Sequence, residues 1–280
     1  MINKNNQTRE RLKNNFLYHC NYIKDSSILK QSIRNTIENS DMYGDINLQK
    51  YDCVYNDTKT GNVSVVNMRT MEAARIYGAT KKTAVLNFAS ARHPGGQVME
   101  GSSAQEEALC RCSTLYQVLS DEKFKPFYNT YKEVKNFMPY YTNRLIYSPN
   151  VCVFGTDTYI SDVMPEHLWY YCDVITCAAP NMLHIVREGK EINRDELYNI
   201  LLSRVNNIIN SAIIYGADVL VLGAFGCGVF KNPPELVAGA FKSVLFDNNK
   251  RKYFDDVVFA IIDDHRGNDN LSTFKSILLS

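Results

Sequence analysis

Short apolar runs rich in β-branched residues alternate with helical stretches through most of the chain, and this alternation limits the fold more than any other feature. Six runs have the length and composition of buried strands, at residues 63–66, 84–88, 151–154, 174–177, 219–222 and 257–262. Helical stretches lie between them, at residues 70–77, 104–119, 194–215, 234–246 and 271–279. This order predicts an α/β domain whose mixed, largely parallel sheet is covered by helices on both faces.

The beginning of the chain has a different pattern, which is polar and helical. Its apolar residues recur at helical spacing, as Leu12, Phe16, Leu29, Ile33 and Ile37. We therefore expect a helical N-terminal extension at residues 1–47 that packs on one α/β domain at residues 48–280. Nothing in the extension carries chemistry, so simple packing is favoured over a lid or a partner-binding role.

Charge and hydropathy argue against several classes of protein. The 31 Lys and Arg residues balance 30 Asp and Glu residues, so we expect no bulk basic surface for nucleic acid. The longest apolar stretch, residues 219–230, is interrupted by glycines and is too short to span a membrane. Because the first ten residues are polar, they do not resemble a signal peptide, and we expect a cytoplasmic protein.

The eight cysteines are scattered and mostly lie in apolar runs, which favours buried free thiols in a reducing compartment. They form no C-x-x-C pair, and the five histidines show no zinc-site spacing. We therefore expect neither a metal nor a cofactor.

Two glycine-containing loops follow predicted strands, where ligands bind in open α/β sheets. The first runs from Asn87 to Glu107 and includes Gly95 and Gly96. The second, residues 223–234, has glycines spaced to form a backbone cradle for phosphate. It matches neither the dinucleotide fingerprint nor the P-loop motif, so a turn whose glycines merely allow positive φ is an equally good interpretation.

Two adjacent glutamates begin the helix that follows the first loop. Ser103 and Glu106 match a capping box, which predicts that Glu106 reaches back to the Ser103 amide. Adjacent helical residues diverge by about 100°, so Glu107 points elsewhere. A carboxylate pair at a helix start beside Gly95 and Gly96 is a candidate for acid–base chemistry.

Together the two loops resemble those of the macrodomain superfamily, and more narrowly those of the bacterial-type poly(ADP-ribose) glycohydrolases. That group carries three glycines, a short spacer and then Gln-Glu-Glu; here Gly95-Gly96-Gln97 precedes Gln105-Glu106-Glu107. Segments 87–91, 111–116 and 226–230 are also similar to this family. The resemblance covers the chain from about Tyr51 onward and implies a three-layer α/β/α macrodomain fold.

The resemblance also implies an activity and roles for particular residues. The activity is hydrolysis of the O-glycosidic ribose–ribose bonds of poly(ADP-ribose) on modified macromolecules, with release of ADP-ribose. Glu107 would be the catalytic acid, while Glu106 would hold the distal ribose, a role that competes with capping. The substrate-binding residues implied are Asn87, Ser90, Gly95, Gly96, Gln97, Gln105, Gly226, Cys227, Gly228, Val229 and Phe230. Among them, the amides of residues 226–228 would bind the diphosphate, and Phe230 would press on the distal ribose.

The proposed acid has a physical difficulty, because a helix start favours the carboxylate anion. The like charges of Glu106 and of the diphosphate, together with burial beneath Phe230, would each favour the protonated form. We therefore expect Glu107 to become an effective acid mainly when substrate is bound.

Gln97 departs from the family pattern because it replaces the third glycine. We expect its side chain to affect polymer cleavage more than ADP-ribose binding. One alternative is a mono-ADP-ribosyl hydrolase that acts on side chains or nucleobases. Another is a non-catalytic ADP-ribose-binding macrodomain, although a pure binder does not need the two glutamates. A thiol enzyme using Cys227 and a cation site at residues 263–265 are disfavoured, since no partner spacing supports either.

Overall fold

The computed structural model describes residues 4–53, 59–78, 80–133, 140–263 and 269–280. Seven strands in this part of the chain form one sheet: β1 Asp41–Tyr43, β2 Asn62–Val66, β3 Thr83–Phe88, β4 Leu145–Val153, β5 Tyr170–Cys177, β6 Val219–Leu222 and β7 Asp256–Ala260. Their spatial order is β1-β4-β5-β3-β6-β7-β2. The five strands from β5 to β2 run parallel, while β4 pairs antiparallel with both β5 and β1.

The helices are α1 Lys4–Asp25, α2 Ser27–Asn39, α3 Thr70–Tyr77, α4 Gln105–Cys112, α5 Leu115–Leu119, α6 Lys125–Glu133, α7 Leu183–Arg187, α8 Arg194–Ile214, α9 Pro234–Lys242 and α10 Asn270–Leu278. They bury both faces of the sheet. Along β3, Leu86 joins the apolar cluster that includes α8, α9 and α10, and Val85 joins the cluster that includes α3, α4 and α5. The predicted α/β class with helices on both faces is confirmed.

The N-terminal helices pack on the main body through the apolar stripe. Leu12, Phe16 and Leu29 are each at most 1% exposed. The ring of Phe16 meets the edge of Tyr116 with 4.9 Å between ring centroids. Ser26 separates α1 from α2, and its side chain caps α2 by accepting a hydrogen bond from the Leu29 N–H. The domain boundary between residues 47 and 48 stays a prediction.

Several predicted elements have different bounds in the structure. The single helix predicted at 104–119 is wrong, because the chain breaks at Ser113 and Thr114. Ser113 forms a β-bridge with Val153, and the Thr114 N–H donates to the Cys152 carbonyl at 3.0 Å. A continuous helix would use these backbone groups internally, so pairing with β4 ends α4. The strand predicted at 151–154 is only the second half of β4.

None of the helices in the described part of the chain combines the length and the apolar character that a membrane span requires. All eight cysteines are free, and six of them are buried.

Candidate active site

The two glycine-containing loops begin at the carboxyl ends of β3 and β6, which are neighbouring parallel strands. Phe88 at the end of β3 packs against Phe225 of the second loop, with ring centroids 5.9 Å apart in an edge-to-face arrangement. The sheet therefore places both loops side by side, at the edge where ligands bind in this class of fold.

Gln105 fixes the first turn of α4 to the sheet. Its Oε1 accepts a hydrogen bond from the Phe88 N–H at 2.9 Å, and its Nε2 donates to the Leu86 carbonyl at 2.7 Å. The same Nε2 lies 3.2 Å from the hydroxyl of Thr70 at the start of α3. Both the oxygen and the nitrogen of the Gln105 side-chain amide thus have partners within the protein. The amide thereby orients the start of the helix that carries the two glutamates.

The predicted capping box does not form. Helix α4 begins at Gln105 with Ala104 as its N-cap, and no side chain caps it. Ser103 lies outside the helix and is exposed. Glu106 turns inward instead, because a backbone amide and a buried side-chain amide at the end of β3 offer it hydrogen bonds there.

Glu106 is buried, with 3% of its surface exposed. Its Oε2 accepts from the Ser90 N–H at 2.7 Å, and its Oε1 lies 3.4 Å from Asn87 Nδ2. Burial raises the pKa of Glu106 to about 8, and the like charge of Glu107 adds to this, while the hydrogen bonds from Ser90 and Asn87 oppose it. Glu106 therefore favours the neutral acid at neutral pH.

Asn87 and Ser90 both orient Glu106. Asn87 is fully buried, and its Nδ2 also lies 3.3 Å from the Thr176 hydroxyl. Its Oδ1 has no partner among the described residues. The hydroxyl of Ser90 accepts hydrogen bonds from the N–H groups of Arg92 and His93, each at 3.2 Å, and so stabilises the turn that begins the loop.

Glu107 is held by one carboxylate oxygen only. Its Oε1 accepts a hydrogen bond from the Gln97 N–H at 3.0 Å. Its Oε2 is buried and has no partner in the part of the chain that the structure describes. The carboxylate is therefore oriented by the loop and keeps one oxygen available, although only 6% of the residue is exposed.

Gly96 allows the two carboxylates to approach the loop. Its φ is +60°, and a Cβ there would lie 2.5 Å from Glu107 Oε1 and 3.0 Å from Glu106 Oε2. Gly95 has φ +66°, and a Cβ on it would lie 2.7 Å from Cδ2 of Tyr116. Both positions require glycine for conformation and for space.

The second loop is closed by a residue that the sequence analysis did not identify. The Nδ2 of Asn232, which is 2% exposed, donates to the carbonyls of Pro180 and Gly226 at 2.7 and 3.0 Å. Gly226 has φ +73°, and a Cβ there would lie 2.4 Å from Asn232 Nδ2 and 2.5 Å from the Cβ of Ala179. The signal was an asparagine directly before Pro233-Pro234, where its side chain can fasten a turn.

Backbone amides of the second loop remain open. Among the described residues, the N–H groups of Gly226, Gly228, Val229 and Phe230 have no hydrogen-bond partner, whereas the Cys227 N–H donates to the Ala224 carbonyl at 3.1 Å. Gly228 and Val229 are exposed and Phe230 is half-buried. Several unpaired amides in a tight loop form a site suited to an anion.

Two other groups considered from the sequence lack support here. Burial raises the pKa of the Cys227 thiol, so the neutral thiol is favoured over a nucleophilic thiolate. The described residues contain no cluster of three His, Cys, Asp or Glu side chains arranged to hold a metal ion. Asp264 and His265 lie outside the described residues.

Comparison with known proteins agrees with this geometry. A sequence model of the microbial-type PARG catalytic domain matches residues 7–156. The crystal structure of poly(ADP-ribose) glycohydrolase from Thermomonospora curvata is 33% identical, with 88% of each chain covered and a TM-score of 0.78. The chain belongs to the microbial-type poly(ADP-ribose) glycohydrolase family. The family predicted from the two loops is therefore confirmed.

Two similar structures of poly(ADP-ribose) glycohydrolases have ligands bound. The enzyme from Deinococcus radiodurans in complex with ADP-ribose is 30% identical over 88% of this chain and 96% of that chain, with a TM-score of 0.77. The T. curvata enzyme bound to the inhibitor ADP-HPD is 33% identical over 88% of each chain, with a TM-score of 0.75. A comparison with curated proteins found no match.

Proposed function

We propose that the chain hydrolyses the O-glycosidic ribose–ribose bonds of poly(ADP-ribose) and releases ADP-ribose. One observation carries this proposal: Glu107 is buried beside Glu106, is oriented through one oxygen by the Gln97 N–H, and has its other oxygen unpartnered. A carboxyl group with this arrangement is suited to exchange a proton with a substrate. Membership of the glycohydrolase family, and the ADP-ribose bound to the D. radiodurans enzyme, support the substrate.

The substrate is proposed to span both loops. Its diphosphate takes the open amides of the second loop, Gly226, Gly228, Val229 and Phe230, without a requirement for Lys or Arg contacts. The distal ribose lies between Phe230 and the first loop. There Asn87 Oδ1, which has no described partner, and the remaining lone pairs of Glu106 accept hydrogen bonds from ribose hydroxyls. Gln105 and the Cys227 N–H already have hydrogen-bond partners within the protein. Both therefore support the shape of the site and do not contact the substrate.

The proposed reaction uses Glu107 twice. In its acid form Glu107 donates its proton to the glycosidic oxygen, the bond from that oxygen to the anomeric carbon breaks, and an oxocarbenium-like state develops. The resulting carboxylate then takes a proton from water as the water oxygen bonds to the anomeric carbon. Glu107 is thereby returned to its acid form, and no further reactant is consumed.

The surroundings of Glu107 favour a proton on the pair when substrate is present. Burial and a second carboxyl group both disfavour two anions in this space, and the diphosphate brings further negative charge. Glu106 holds a proton readily, because burial raises its pKa to about 8. We propose that Glu106 is the source of the proton that Glu107 donates once substrate is bound.

A mono-ADP-ribosyl hydrolase is the second candidate, and one observation favours it. The side chain of Gln97 is exposed, while its N–H holds the catalytic carboxylate. Because the backbone of Gln97 contacts the proposed acid, its side chain also lies near the leaving group. The leaving group is what differs between poly(ADP-ribose) and a mono-ADP-ribosylated substrate. A purely binding macrodomain is less well supported, because burying two carboxyl groups side by side costs free energy that ADP-ribose recognition alone does not need.

The free state of all eight cysteines supports a cytoplasmic location, since thiols persist in a reducing compartment.

The decisive test is product identification. Purified protein is incubated with poly(ADP-ribose) and, separately, with ester-linked and base-linked mono-ADP-ribosylated substrates, and the products are separated by chromatography. We expect monomeric ADP-ribose from the polymer at a higher kcat/KM than from either mono-modified substrate. Release from a mono-modified substrate alone would favour the second candidate, and release from none would overturn both.

A further inference from the structure

Backbone strain in the described part of the chain is concentrated beside Phe230. Four non-glycine residues in the described part of the chain have positive φ. Two of them are Asn150 and Asn249, and asparagine tolerates the left-handed region. The other two are Tyr141, with φ 57°, and Lys231, with φ 60°. Lys231 follows Phe230 in the chain, and the Tyr141 ring centroid lies 6.4 Å from that of Phe230. Both strained residues therefore adjoin the same aromatic side chain.

Buried side chains of α8 hold Tyr141 in this conformation. Arg204, which is 1% exposed, donates a hydrogen bond to the Tyr140 carbonyl at 2.8 Å. Asn207 donates to the Asn143 carbonyl at 2.8 Å. These bonds hold the backbone on both sides of Tyr141, which itself has positive φ. Such strain persists only where the surrounding structure enforces it, and it occurs most often at functional sites.

The segment after β5 connects Tyr141 to the second loop. The hydroxyl of Tyr141 accepts a hydrogen bond from Asn181 Nδ2 at 3.4 Å. The next residue, Met182, donates its N–H to the Phe230 carbonyl at 2.7 Å. The backbone of Phe230 and the ring of Tyr141 are thus held by neighbouring residues, which fixes their separation.

We infer that Tyr141 is a positioning residue for Phe230. The two rings are tilted by 54°, and their centroid separation of 6.4 Å lies in the range of aromatic pairs. The Tyr141 ring thereby fixes the position of the Phe230 ring that orients the distal ribose. This inference rests on the proposed function, in which Phe230 contacts the substrate. The strain at Tyr141 has a reason in this arrangement, since the strained residue is the one whose ring contacts Phe230.

Tyr141→Gly separates this role from a merely structural one. Glycine adopts positive φ readily, so the variant loses the ring and the strain together, and we expect its Tm to equal or exceed that of the wild type. We expect kcat/KM on poly(ADP-ribose) to fall roughly tenfold, because the ribose is less well oriented. KM should rise as well, whereas a simple loss of folded protein would lower kcat and leave KM unchanged.

Three further variants complete the test. Tyr141→Phe loses the long hydrogen bond from Asn181 but keeps the ring contact with Phe230, and should retain kcat/KM within about twofold. Tyr141→Asn removes the ring with a residue that tolerates positive φ, and should reproduce the Tyr141→Gly kinetics. Asn249→Gly changes a positive-φ residue outside both loops and controls for the backbone substitution alone.

The outcomes are distinguishable. A wild-type chain that releases no ADP-ribose overturns the proposed function and this inference with it. With an active wild type, unchanged kcat/KM and KM in Tyr141→Gly overturns the inference alone. A lowered Tm or failure to fold in both Tyr141→Gly and Tyr141→Asn also overturns it, because the ring would then serve stability.

Discussion

The two loops at the ends of β3 and β6 offer different groups to the site: side-chain carboxyl groups in the first loop and backbone amides in the second. In the first loop, two buried carboxyl groups face a turn of glycines, and each has an oxygen held by a backbone amide. In the second loop, the backbone amides are open, and a buried side chain, Asn232, only closes the turn. In the proposed reaction, the first loop therefore carries proton transfer and the second loop carries anion recognition. Changes in the first loop should therefore affect kcat, and changes in the second should affect affinity.

Among the glycine substitutions, Gly96→Ala is expected to have the largest effect. A Cβ at this position would meet Glu107 Oε1 at 2.5 Å, so the loop or the carboxylate must move. A displacement of this kind at the reacting group lowers kcat by about 100-fold or more. Hydrolysis of poly(ADP-ribose) measures kcat, and calorimetric titration with ADP-ribose measures binding. Gly216→Ala is the matched control, because it has φ +66° and no atom within 4 Å of its Cβ; equal losses in both variants would contradict the account.

Gly226→Ala should mainly weaken binding. Its Cβ would lie 2.4 Å from the side chain of Asn232, so the turn that presents the open amides must distort. We expect the Kd for ADP-ribose to rise about tenfold, with a smaller change in kcat at saturating substrate. Gly189→Ala, with φ +66° and open space around its Cβ, controls for the cost of positive φ. A Gly226→Ala variant with normal affinity and a large loss of kcat would reverse the assignment of the two loops.

The burial of Glu106 should appear in the dependence of stability on pH. Burial raises the pKa of Glu106 from its ordinary value of 4.5 to about 8. Between these pH values, the folded chain keeps a proton that the unfolded chain has released. The free energy of unfolding should therefore fall with rising pH in this interval, by up to about 1.4 kcal/mol per pH unit from this group. Urea unfolding of the wild type and Glu106→Gln between pH 5.5 and 7.5 measures the difference. Parallel curves would show that Glu106 is already ionised in the folded chain; Glu100→Gln, at an exposed position, is the control.

Gln97→Ala should change substrate preference by a smaller amount. The Gln97 N–H that holds Glu107 is retained, so the carboxylate of Glu107 keeps its orientation. We expect the ratio of kcat/KM for the polymer to that for a mono-ADP-ribosylated substrate to change by roughly three- to tenfold. Met99→Ala tests another exposed side chain of the same loop. An unchanged ratio would remove Gln97 as a determinant of the leaving group.

The smallest expected effect is that of salt on ADP-ribose affinity. Recognition by neutral backbone amides releases few counterions, so Kd should change by less than about threefold between 50 and 200 mM salt. Calorimetric titration at both salt concentrations measures it. A much steeper dependence would point to Lys or Arg contacts and weaken the distinction between the loops.

The sequence predicted six of the seven described strands and both loops, because these depend on local patterns; it missed β1, which lies inside the predicted helical extension and pairs with the distant β4. Helix α3 and strand β6 have the predicted bounds, and Gly95, Gly96 and Gly226 all have positive φ. The capping box failed because Ser90 and Asn87, distant in sequence, offer Glu106 better partners than Ser103 does.

Tertiary contacts also explain what the sequence analysis left out. The break after Cys112 depends on backbone bonds to β4. The roles inferred for Asn232 and Tyr141 depend on residues after β5, which only the folded chain brings to the second loop. No periodic pattern records such contacts.

The proposed reaction depends most directly on Glu107, and Glu107→Gln tests it. The measurement is the rate of ADP-ribose release from poly(ADP-ribose) by the variant and the wild type, once calorimetry has shown that the variant still binds ADP-ribose. We expect the rate to fall by about 10²- to 10⁴-fold, because glutamine cannot supply the proton. A variant that releases ADP-ribose at the wild-type rate would contradict it.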